Sequence, residues 1–91
     1  MRLIWSSPAL SDLSRLHAFL TPSSRRAATQ LLRTMRTGAR KLLEHPRLGE
    51  RVPKVENLEI RRIFLRNYEL RYEIRGDEII VLRLWHTRED R

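Results

Sequence analysis

The spacing of hydrophobic and polar positions changes period along the chain, and each change marks an element. Arg2 to Trp5 opens as a short extended run. Leu10, Leu13, His17 and Leu20, joined by Leu16 and Phe19, then recur at helical spacing, which predicts a first helix with one apolar face. Ser7 before Pro8 marks its start: the serine caps an orphan amide, and the proline sits in the first turn, where its missing N–H costs nothing. Thr21 and Pro22 end it. Ser23 or Ser24 can cap a second, longer helix, in which Ala28, Leu31, Leu32, Met35, Ala39, Leu42 and Leu43 form one stripe and Arg25, Arg26, Arg33, Arg36 and Arg40 lie largely off it. Gly38 weakens this helix locally, and His45 before Pro46 stops it. Two helices joined by so short a link form an antiparallel hairpin.

Beyond the helices the period shortens to two. Residues 48–58, with Gly49 and Pro53, read as loop with room for one short extended piece. Glu59 to Arg66 is a strand by composition, although Ile60/Phe64 and Ile63/Leu65 claim opposite faces. After a turn at Asn67, Tyr68, Leu70, Tyr72 and Ile74 alternate strictly with Glu69, Arg71, Glu73 and Arg75, the pattern of a strand with one core face and one charged face. Gly76-Asp77 turns the chain, in the reverse of the more favourable Asp-Gly order. Ile79 to Trp85, apolar on both faces apart from Arg83, suits a central strand.

The predicted fold is therefore α+β: one N-terminal strand, an antiparallel two-helix hairpin, then a three-stranded antiparallel run, in one sheet with the helices on one face. The opposite face is left open. With Leu82 and Leu84 turned toward the helices, that face carries Glu69, Arg71, Glu73 and Arg75, and beside them Ile79, Val81, Arg83 and Trp85.

Composition narrows the function. Ninety-one residues suit a single domain spanning 1–91. The absence of cysteine removes disulfides and thiolate metal sites and fits a reducing cytoplasm. No apolar run reaches the length of a signal peptide core or a membrane span. Lys and Arg number 19 against 11 Asp and Glu, a net charge of +8, and 17 of the 19 are Arg. Arg offers a rigid planar fork of donors for carboxylate and phosphate, so the surface is built to meet something acidic, a nucleic acid or an acidic protein. The excess is uneven, +6 over residues 1–50 and +2 over 51–91. Three scattered histidines make no metal site, and neither a phosphate loop nor a nucleophile triad occurs, so no catalytic residue, metal or cofactor is expected.

Three strings carry a family resemblance. Trp5-Ser6-Ser7-Pro8-Ala9-Leu10-Ser11-Asp12-Leu13 and Leu42-Leu43-Glu44-His45-Pro46-Arg47-Leu48-Gly49 resemble an opening strand with its helix start and a helix exit. Asn67 to Ile74 followed by Ile80-Val81-Leu82-Arg83-Leu84-Trp85-His86-Thr87-Arg88-Glu89-Asp90-Arg91 is the most specific. Together with the element order they resemble the ParE branch of the RelE/ParE toxins of type II toxin–antitoxin systems.

The resemblance implies a plasmid- or chromosome-borne toxin that arrests growth by poisoning DNA gyrase. Its antitoxin would carry a disordered segment that folds over the toxin. The related RelE branch implies a different outcome, cleavage of mRNA on the ribosome, with an arginine just after the strand tyrosine, a second arginine after the last strand, and commonly a C-terminal tyrosine or histidine. This chain has Glu69 at the first position, Arg88 at the second and no terminal tyrosine, with His86 and Lys54 left to titrate or to contact phosphate. A non-enzymatic poison is the expectation. Its partner surface is expected to comprise Glu69, Arg71, Val81, Arg83, Trp85, His86 and Arg88, with an acidic or amphipathic antitoxin segment over Val81, Arg83 and Trp85.

Overall fold

The computed structural model describes residues 1–53, 55 and 57–89. Its elements run β1 (Arg2–Trp5), α1 (Ser7–Leu20), α2 (Arg25–Glu44), β2 (Glu50–Arg51), β3 (Glu59–Leu65), β4 (Tyr68–Arg75) and β5 (Glu78–His86). The five strands form one sheet in the order β1-β5-β4-β3-β2. The run β3-β4-β5 is antiparallel as expected, but the sheet as a whole is mixed, because β1 lies parallel to β5. Two tight hairpins reverse the chain twice, whereas the parallel β1 partner is reached through the long helical connection that parallel pairing requires. The two-residue β2 is the short extended piece within the loop. Flanked by β1 and β4, β5 is interior to the sheet, which accounts for its two apolar faces.

Local chemistry sets the element ends. Ser6, one residue before the expected cap, is the N-cap of α1 and its hydroxyl accepts from the Ala9 amide at 3.1 Å. Ser24 does the same for α2 through the Ala27 amide at 3.0 Å. At the β4–β5 turn Gly76 has a φ of 57°. A two-residue hairpin with the left-handed residue first is the type II′ turn, which wants Gly in that place and so explains the Gly-Asp order.

Both helices pack on one face of the sheet. Ala9 and Leu16 of α1 and Ala28, Leu31, Met35, Ala39 and Leu42 of α2 meet Ile63, Leu70, Tyr72, Ile79, Val81 and Leu84. The buried stripe of α1 is Ala9, Asp12 and Leu16; Leu10 and Phe19, expected on the apolar face, are 50% and 80% exposed. Gly38 lies where α2 packs tightly on β3, since a Cβ there would stand 2.5 Å from Leu65 Cδ1. The helix is continuous through it, so close packing offsets the cost of glycine in a helix, about 1 kcal/mol.

The α2 exit is stapled from beneath. The fully buried Tyr72 donates its hydroxyl to the Pro46 carbonyl at 2.7 Å and accepts from the Gly49 amide at 3.0 Å. Tyr72→Phe leaves two buried backbone groups short of a partner and is expected to cost about 1–2 kcal/mol. For a chain of this size that is a fall in melting temperature of roughly 5–12 °C. A melting curve that superimposes on wild type would show that water replaces the phenol.

One irregularity reorganises the open face. Tyr72 is paired with Val81 but Arg71 with Arg83, so Leu82 is an extra residue in β5. Such a bulge inverts the alternation of side chains. Before it, Ile79 and Val81 face the helices and are fully buried; after it, Leu84 does. The expectation that Ile79 and Val81 share the open face with Arg83 and Trp85 is therefore corrected. No residue-by-residue alternation survives across Leu82. In β3, Ile63 and Leu65 face the helices, and Ile60, Arg62 and Phe64 face the open side opposite Glu73, Arg71 and Glu69.

Candidate functional site

The open face holds a chain of stacked and paired groups. Two guanidinium groups stack on the Trp85 ring, with Arg71 Cζ 4.9 Å and Arg83 Cζ 5.3 Å from its centroid. Arg71 Nε donates to Glu69 Oε2 at 2.7 Å. Arg83 donates from Nε to Asp12 Oδ2 at 2.7 Å and from Nη2 to Asp12 Oδ1 at 3.1 Å. The order is carboxylate, guanidinium, indole, guanidinium, carboxylate. Both carboxylates are buried, while Arg83 is half exposed. The Glu69-Arg71-Glu73-Arg75 run, expected as the charged side of an open face, is partly buried: Glu69 and Glu73 are buried, and their ion pairs run along the strand to Arg71 and Arg75.

Asp12 is placed by the edge of β5. β1 ends opposite Val81, so from Leu82 onward β5 has no strand on that side. A bare edge of unpaired N–H and C=O groups invites another strand. Here side chains occupy it: Ser6 Oγ donates to the Leu82 carbonyl at 3.0 Å, Asp12 Oδ2 accepts from the Leu84 amide at 2.9 Å, Arg15 Nη2 reaches the Leu84 carbonyl at 3.5 Å, and Glu89 Oε1 accepts from the His86 amide at 2.8 Å. Burial alone would push the Asp12 carboxyl up; the bonds from Arg83, the Leu84 amide and Arg15 outweigh it and hold the group below its ordinary range. The pairing with Asp12 in turn raises the Arg83 guanidinium.

Beside this edge a cavity of about 570 Å³ opens between α1 and the end of β5. Leu16, Phe19, Leu20, Tyr68 and His86 form its apolar walls, and Arg15, Arg88 and Glu89 stand at its rim. The His86 ring meets Tyr68 edge-on, with centroids 5.2 Å apart. Its Nδ1 accepts from the Arg88 amide at 3.1 Å, which leaves Nε2 to carry the proton of the neutral ring. Burial, with the nearby Glu89 charge, raises the Tyr68 phenol. Among the described residues Arg88 has no carboxylate within ion-pair distance.

A family model described as the ParE toxin of the type II toxin–antitoxin system parDE matches residues 3–91. The chain belongs to the ParE toxin family. Membership makes it the toxin half of such a system and implies an antitoxin partner. A solved chromosomal ParDE toxin–antitoxin system from P. aeruginosa is similar in fold, with a TM-score of 0.76, 19% identity and cover of 94% of this chain and 95% of that one. No curated protein matches the sequence.

The structure divides the expected partner residues into three sets. Glu69, Arg71, Arg83 and Trp85 form the stacked cluster. His86 and Arg88 line the α1 cavity. Val81 is in the core, on the wrong side of the sheet to touch a partner. Lys54, the other candidate phosphate contact, lies outside the described residues, as do Asp90 and Arg91 of the tail. The sequence reading missed Asp12, Arg15 and Phe19 as site residues. Asp12 had a signal, since it stands three residues after Ala9 and four before Leu16 and so falls on their buried stripe. Among the described residues no group of three His, Asp or Glu could hold a metal ion, and no helix is long and apolar enough to cross a membrane.

Proposed function

We propose that this chain is a non-enzymatic poison of DNA gyrase, acting in the cytoplasm, and that the antitoxin neutralises it by covering Trp85 and its flanking arginines. Glu69 carries this reading. At the position where the ribonucleolytic RelE branch is expected to hold an arginine, this chain has a buried carboxylate clamped by Arg71. An anion there repels a scissile phosphate. Arg83 is committed to Asp12, and the Nδ1 of His86, the free lone pair a base would need, is taken by the Arg88 amide. What remains is a rigid display of arginine and tryptophan, the residue types that dominate binding energy at protein interfaces.

Incubating the purified chain with gyrase, relaxed plasmid and ATP should abolish supercoiling in proportion to toxin. Full supercoiling at saturating toxin would overturn the gyrase assignment. Arg88 beside His86, with no carboxylate partner among the described residues, favours a second reading, mRNA cleavage on the ribosome. Translating ribosomes treated with the chain would then show codon-positioned cuts, and uncut message removes it.

A further inference from the structure

The cluster and the cavity leave the basic half of the molecule unused. Helix α2 carries Arg25, Arg26, Arg33, Arg36, Arg40 and Lys41, all exposed, and no acid before Glu44. None of the six is paired with a carboxylate among the described residues, whereas arginines of both sheet faces and of α1 are. At about 100° per residue, Arg26, Arg33 and Arg40 recur every seventh position within an arc of roughly 40°, and Thr29, Gln30 and Thr37 flank them within an arc of roughly 100°. This arc lies opposite the Leu31, Met35 and Leu42 stripe.

A merely solvated helix would gain from acids four residues before its bases, and this one has none. It instead keeps like charges at Arg33/Arg36 and Arg36/Arg40, and it sets Arg25 and Arg26 in a first turn that has no acidic residue, where the helix dipole disfavours cations. Local stability is conceded along the whole face, which is the mark of a surface selected for a ligand. No exposed large apolar residue lies on it: Leu10, Phe19, Leu48, Leu58 and Phe64 are all outside α2. A protein partner would need such an anchor at its centre. Guanidinium groups interleaved with hydroxyl and amide side chains are instead the donor set that contacts phosphate and sugar.

We propose that the exposed face of α2 binds the phosphate backbone of duplex DNA without reading its sequence. From Arg26 to Arg40 the helix rises about 21 Å, a length over which a duplex presents roughly twelve phosphates on its two strands. Supply of anions therefore does not limit the contact. The inference goes beyond the gyrase reading and does not require it, because it concerns naked duplex alone.

Binding of a fluorescent 20-base-pair duplex of arbitrary sequence to the full chain tests it. With about four phosphates neutralised, affinity should fall roughly 150-fold between 50 and 200 mM NaCl. The variant R26Q/R33Q/R40Q should bind at least tenfold more weakly at 50 mM and lower the logarithmic salt slope by about 2.7. The variant R47Q/R51Q/R75Q removes equal charge outside the α2 face and should stay within about threefold of wild type. Equal losses in both variants would overturn the proposal in favour of net charge. So would tighter binding of single-stranded RNA or of polyglutamate through the same three arginines, or an unchanged slope in the α2 variant.

Discussion

Replacing Asp12 with Ala is expected to destabilise the fold by about 2–4 kcal/mol, among the largest effects of any substitution outside the apolar core. The change strands the buried Leu84 amide, whose desolvation costs about 1–3 kcal/mol, and removes a bidentate charged bond. Arg83 is 46% exposed along its side chain and recovers water, so the penalty stays below that of a fully buried orphan ion. A melting temperature lowered by roughly 10–25 °C would follow. Asp12→Asn keeps an acceptor for the amide and should lose about half as much.

The same group makes stability sensitive to acid. Its folded pKa lies below the unfolded one, so its stabilisation is complete above the unfolded value, about 4, and disappears as pH falls through the lowered folded value. Wild-type stability should therefore decline more steeply than that of Asp12→Asn below pH 4. Parallel curves for the two proteins would contradict the assignment. Glu59, held low by its bond to Arg61 against some desolvation, acts in the same direction from the surface, where solvent screens it.

Trp85→Ala should weaken antitoxin binding about 100-fold, close to 3 kcal/mol, while leaving the fold nearly as stable as before. The ring is contacted by two guanidinium groups that are themselves fixed by buried carboxylates, so it is already in position before any partner arrives. Rigid placement lowers the entropy lost on binding. Truncation removes the aromatic surface and also frees Arg71 and Arg83 from their stacking. Trp85→Phe retains a face for both cations and should recover most of the affinity. Titration calorimetry with the antitoxin reads the difference. If Trp85→Ala binds as wild type and Phe19→Ala does not, the antitoxin occupies the α1 cavity and leaves the open face bare.

Much of this architecture was legible in the chain. The period change from helix to strand, the two caps within one residue, the strict alternation of β4 and the two-sided apolarity of β5 all point to helices on one face of a sheet with β5 inside it. Three features were not. The parallel pairing of β1 depends on where the helical hairpin returns the chain, which no local pattern records. The bulge at Leu82 adds one residue to a run of uninterrupted apolar character, so parity counted from Trp85 places Val81 on the wrong face. Glu69 is fully buried, with Phe64 and Trp85 as its neighbours across the sheet and Arg71 bonded to it from two positions on. Alternation marked Glu69 as outward and could not show that it is buried there.

The most direct test of the gyrase reading is plasmid cleavage in the presence of the enzyme. Supercoiled plasmid incubated with gyrase and the purified chain, then denatured and treated with protease, should yield linear DNA that increases with toxin and disappears when the antitoxin is added first. Plasmid that stays closed at every toxin concentration, from a preparation that cuts message on translating ribosomes, would contradict it.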